Sequence, residues 1–185
     1  CELFLTTPIS GTQFYGNDCS LLGSDLVFPN KNLYISILFS NFFHANFVHI
    51  LGNLWSFWIL GNIVDDKLGK TKFSIFLLLI AFLSIGVHTI INFDSLIPVV
   101  GASGIVSGIM GADVYLFPNA KLLVLVPFGI LFHTTIKART FMYFWFISQI
   151  FIAIGSSNIS WEAHIGGFIL GYLIITLSRY KRNNF

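Results

Sequence analysis

Five stretches of this chain are continuously apolar over close to the length that crosses a bilayer: residues 47–64, 73–91, 97–117, 141–154 with its flanks, and 163–177. A spanning helix needs roughly 17 to 25 residues, and no other feature of the sequence narrows the choice of fold so far. In hydrocarbon every backbone donor and acceptor must be paired within the structure, which leaves helices and closed barrels. Barrel strands alternate apolar and polar residues. These stretches do not, so the chain reads as an all-α polytopic membrane protein, one helical bundle with five clear spans. Composition agrees: 55% of the 185 residues are hydrophobic and 10% charged, against about 25% charged in soluble domains.

The net charge of +2 gains meaning from where the cations stand. Lys67, Lys70 and Lys72 separate the first two spans; Lys121, Lys137 and Arg139 separate the third from the fourth; Arg179, Lys181 and Arg182 follow the last. Basic residues on alternate connections mark the cytoplasmic side, with Lys31 alone on the other. The C-terminus is therefore expected in the cytoplasm and the plasma membrane is the expected location. The connections at 92–98 and 155–161, and residues 1–41, are expected to face outward.

Residues 1–41 carry turn signals such as Thr7-Pro8 and Gly16-Asn17-Asp18, and read as an outer loop of about forty residues lying partly on the membrane interface. Residues 42–185 form the core. Cys1 and Cys19 share the outer face, where a disulfide is compatible with the compartment. No basic segment followed by a short apolar core marks a cleavable signal. Cys1 to Leu5 read as the tail of a preceding helix, with a lipid-modified Cys1 the alternative.

Chemistry concentrates at the outward ends of three spans. The first holds His44, His49 and Asn53, the latter pair four apart and so on one helix face. The third opens on Gly101-Ala102-Ser103-Gly104, and Gly104 and Gly108 form a small-xxx-small face that admits another backbone closely. The last opens on Ala163-His164, with Gly167 and Gly171 on the stripe of His164. Two glycine-lined helices are thus expected to bring Ser103 and His164 together near the outer leaflet.

A serine hydroxyl becomes nucleophilic when a neighbouring base takes its proton, and histidine serves near neutrality. No carboxylate stands at the right depth to complete a triad. Asp113 is roughly 15 Å below Ser103 at 1.5 Å per residue, and is expected to pair near the inner interface. Glu162 is turned about 200° from His164 around the helix. A Ser103–His164 dyad follows, with the Ser103 amide, Asn53 and His49 as donors to the developing oxyanion. A zinc protease would carry His-Glu-x-x-His, whereas His44 and His49 are five apart; an aspartyl protease would need two intramembrane aspartates. His88 reads as structural, Asp65 or Asp66 as able to pair with a neighbouring base, residues 121–137 as an interfacial or re-entrant connection, and Gln149 as a polar residue within the fourth span.

In order and spacing, His44-x4-His49-x3-Asn53, Gly101-Ala102-Ser103-Gly104 and Ala163-His164-x2-Gly167-x3-Gly171 resemble the motifs of the rhomboid intramembrane serine proteases. The resemblance implies a rhomboid-like bundle of six or more helices, so that the first family helix is missing or truncated here. It implies a Ser103–His164 dyad, an oxyanion site of His49, Asn53 and the backbone at Ser103, and His44, Gly101, Gly104, Gly167 and Gly171 in support. Transmembrane protein substrates within the lipid bilayer are the implied partners, with no metal, cofactor or nucleic acid. Two departures stand out: Ser107 occupies the position four after the serine where many relatives have an aromatic residue, and the outer loop lacks the Trp-Arg pair of several members. The rivals are a catalytically inactive rhomboid-like protein that binds membrane helices, and a small transporter using Asp113, Gln149, His49 and Asn53 as a polar path. The latter is disfavoured because no repeat with paired broken helices is visible.

Overall fold

The computed structural model describes residues 33–92, 99–128, 130–155 and 159–183. The reading of residues 1–32, with its interfacial aromatics and the Cys1–Cys19 pair, lies outside the described residues. Six helices and one hairpin follow in order: α1 (Leu33–Ser40), α2 (Phe47–Leu68), α3 (Lys70–Ile91), α4 (Ser103–Leu116), β1 (Lys121–Phe128), β2 (Ile130–Lys137), α5 (Ala138–Gly155) and α6 (Trp161–Asn183). By length and composition α2, α3, α5 and the Trp161–Ser178 part of α6 can each cross a membrane.

The lipid-facing surfaces explain the composition. Trp55 and Trp58 of α2 and Phe144 and Phe151 of α5 are each at least 70% exposed, an arrangement that costs nothing where the solvent is hydrocarbon. Helix boundaries follow local chemistry. The Asn46 side chain accepts a hydrogen bond from the His49 amide at 2.8 Å and so caps α2. The helix ends at Gly69, whose φ of 78° turns the chain directly into α3. Beside that turn Lys70 pairs with Asp65 at 3.6 Å, as the charge pattern anticipates.

α4 is the axis of the bundle. Every residue from Val106 through Val114 is buried, and Ile80, Ile109, Met142 and Phe168 from four helices meet in the core around it. The apolar window 97–117 contains a helix of only 14 residues, about 21 Å long and so shorter than the expected span. Gly101 is the reason: its φ of 109° is closed to most side chains, and its amide donates to the Ser40 carbonyl at 3.0 Å instead of entering a helix. Sheathed by other helices, α4 has no need to reach both membrane surfaces.

Residues 121–137 form an antiparallel hairpin, with Lys121 opposite Lys137 and Phe128 opposite Ile130. The run is too short to span, as expected, and the inner edges of its two strands pair with each other. The hairpin joins α4 to α5 at the end of the bundle that carries Lys67, Lys70, Lys121, Lys137 and Arg139. At the opposite end His88 Nδ1 lies 3.1 Å from Glu162 Oε2, both side chains buried, tying the end of α3 to the start of α6. His88 thus has the structural part read for it.

Candidate active site

The starts of α2, α4 and α6 and the ends of α3 and α5 gather at the end of the bundle away from the lysines. There the small-residue faces of α4 and α6 lie backbone to backbone. A methyl group added to Gly167 would strike the Gly104 carbonyl, and one added to Gly171 would strike the backbone of Gly108. This approach brings Ser103 Oγ to 2.7 Å from His164 Nε2, although the two residues are 61 positions apart.

α2 supplies the other wall. Gly101 lets it come close: a side chain at that position would collide with the His49 ring and crowd Asn53 Nδ2. Asn53 is 8% exposed, and its Nδ2 has no hydrogen-bond partner among the described residues. His49 and His44 stack edge to face with centroids 5.0 Å apart, and His44 Nδ1 lies 3.2 Å from the Phe42 carbonyl. The first amides of a helix lack intrahelical acceptors. The Ser103 amide stands in this first turn, and no side chain caps α4.

Ser103, His164, His49 and Asn53 line one cavity of about 610 Å³. Val106, Met110 and Phe141 add to its apolar lining. All four residues assigned from sequence to the reaction therefore meet at one cavity, with Gly101, Gly104, Gly167 and Gly171 making the approaches that shape it.

Two side chains of α5 also meet there, and neither was given a part in the hydrolytic site from sequence. Gln149 Oε1 lies 2.7 Å from His164 Nδ1, and the Trp145 ring packs on the imidazole with centroids 5.8 Å apart. Their spacing of four residues on an apolar helix was the available signal. Ser107 turns away: its hydroxyl donates to the Ser103 carbonyl at 2.6 Å. Asp113 does not find the partner expected of it. It is 3% exposed and neither carboxylate oxygen has a hydrogen-bond partner among the described residues. Nor do the described residues hold a cluster of three metal-ligating side chains.

A polytopic helical bundle with a partly buried serine–histidine pair defines the class: an integral membrane protein with the components of a hydrolytic site. The rhomboid domain model matches residues 31–181. A rhomboid protein of Acanthamoeba polyphaga mimivirus is 31% identical over 159 residues, which cover 83% of this chain and 81% of the relative. Rhomboid protein 1, mitochondrial, of Saccharomyces cerevisiae is 29% identical over 148 residues, covering 75% of this chain and 40% of the yeast protein. The chain belongs to the rhomboid family, whose members are intramembrane serine proteases or inactive homologues of them.

Proposed function

We propose that this protein is an intramembrane serine endopeptidase that hydrolyses peptide bonds of transmembrane proteins through Ser103 and His164. The observation that carries the reading is the 2.7 Å approach of Ser103 Oγ to His164 Nε2 inside a cavity. Helix packing accounts for the glycines but not for a base seated on a nucleophile.

In the acylation step Oγ attacks the substrate carbonyl carbon as its proton passes to Nε2. The negative charge that develops on the carbonyl oxygen is met by the Ser103 amide and by Asn53 Nδ2, a buried donor without a hydrogen-bond partner among the described residues, with His49 beside it. Collapse of the tetrahedral intermediate breaks the C–N bond, and the leaving amine takes the proton from His164. Water then attacks the acyl-enzyme, His164 accepts its proton, and Ser103 regains its own as the acid product leaves.

The cavity is walled by Val48 and Leu60 of α2 on one side and Phe141 and Ile152 of α5 on the other. A substrate segment already in the bilayer approaches between those two helices. The positive-inside rule favours the basic end and the C-terminus on the cytoplasmic side; with the cell membrane as the proposed location, cleavage falls near the outer face.

Purified protein in liposomes is expected to cut a transmembrane reporter and to be labelled by a serine-directed fluorophosphonate. Ser103→Ala should lower cleavage by at least about 1,000-fold and abolish labelling. Equal behaviour of the two proteins in both assays overturns the proteolytic reading in favour of an inactive homologue. Asn53→Ala should reduce kcat by about 100-fold, the usual cost of one oxyanion donor.

A further inference from the structure

Resting on Ser103 and His164 as nucleophile and base, we propose that Gln149 is the positioning residue of the catalytic histidine, fixing its tautomer from α5. A neutral imidazole carries one N–H and one bare nitrogen, and only a bare Nε2 can take the serine proton. Something must therefore hold the hydrogen on Nδ1. Gln149 Oε1, 2.7 Å from Nδ1, is placed to do so.

The amide orientation follows from its surroundings rather than from its contact with the histidine. Gln149 Nε2 lies 3.4 Å from the Trp145 carbonyl and 3.3 Å from Ser148 Oγ. The Ser148 hydroxyl donates its own proton to that same carbonyl at 2.6 Å, so towards Gln149 its oxygen can only accept. A reversed amide would set its oxygen against two other oxygens with no hydrogen between them. Oε1 thus faces His164, and as a pure acceptor it requires Nδ1 to be the donor. Ser148 fixes the amide, the amide fixes the tautomer, and the tautomer leaves Nε2 open to Ser103.

Burial strengthens this chain. Gln149 is 4% exposed, so bulk water does not compete for its amide. The one carboxylate close in sequence, Glu162, is held by His88 on the other side of α6. A neutral amide also brings no charge into the bilayer, where an uncompensated carboxylate is costly. One helical turn before Gln149, Trp145 covers the imidazole face and limits its tilt, a place that the residue at 107, a serine bonded to its own helix, does not fill.

The test compares wild type, Gln149→Leu, which keeps bulk but removes the acceptor, and Gln149→Glu, which restores one. In liposomes with a transmembrane reporter, Q149L is expected to lower kcat about 10- to 100-fold, the range for losing a hydrogen bond to a group that becomes charged, with KM unchanged. Q149E is expected to recover most of the loss. Independently of turnover, nitrogen-15 solid-state NMR of histidine-labelled protein reports the tautomer, with the His164 signals identified by their loss in His164→Asn. Wild type should show a protonated Nδ1 and a bare Nε2, and Q149L a mixture.

An unchanged tautomer in Q149L, or an unchanged kcat, overturns the role of Gln149 even if the protein is an active protease. If wild type and S103A cut alike, the proteolytic reading falls, while the NMR comparison still decides whether Gln149 sets the tautomer. Should Q149L not fold, Ser148→Ala loosens the anchor of the amide and must shift the same signals; no shift there equally refutes the proposal.

Discussion

Two helices hold His164 in place, and they do so by opposite means. The α4–α6 seam is backbone on backbone, so close that a single methyl at Gly167 or Gly171 meets main-chain atoms. α5 buries only Ala138, Met142 and Gln149, and turns Phe144, Phe151 and Ile154 outward. The seam sets how far the histidine stands from the serine, and it has no freedom to adjust. α5 sets which way the ring faces, through one amide and one indole. Distance is thus fixed by atoms that cannot move separately, whereas orientation is fixed by side chains that can.

The largest test of this contrast is Gly171→Leu, which drives a side chain into the Gly108 backbone. It should destabilise the protein by about 3 kcal/mol or more and remove activity, read as a lowered melting temperature in detergent and loss of reporter cleavage. Retained melting would mean that the seam is softer than its contacts imply. Gly167→Ala is milder, yet it should still separate α6 from α4 at Gly104. An activity loss of about 100-fold is expected, since small misplacements of reacting groups carry penalties of that order, and fluorophosphonate labelling should slow in parallel. On the α5 side, Trp145→Ala should cost about 3- to 10-fold in kcat, the worth of one aromatic contact, with little change in melting. A greater loss than that from G167A would reverse the ranking of the two helices. Smallest of all, Phe144→Leu on the lipid face should change stability by less than about 0.5 kcal/mol.

The helical bundle, the sheathing of its site by glycine faces and the family were legible because hydropathy and small-residue spacing are properties of single helices. The offsets of three and seven residues that put Gly167 and Gly171 on the stripe of His164 can be counted in one segment. The length of α4 was not, because a hydropathy window cannot distinguish Val99 before the turn from Val106 after it, and Gly101 takes its conformation from a bond to Ser40. The hairpin at 121–137 escaped because β pairing depends on a partner strand. Gln149 was visible as a polar residue, but its meeting with His164 depends on the depth at which α5 rises, which the connection from α4 sets. Asp113 departs from the pairing read for it, being buried with no hydrogen-bond partner among the described residues.

The sheath around α4 has a consequence for how membrane thickness acts on this protein. When hydrocarbon thickness changes, helices that touch lipid tilt, and short ones pull the bilayer towards them. α4 touches almost none, so its serine keeps its place relative to the protein. A substrate helix, by contrast, is positioned by the lipid around it. Thinner or thicker bilayers should therefore slide the substrate past a stationary nucleophile and alter which peptide bond is presented, making the bilayer itself a ruler for the cleavage site.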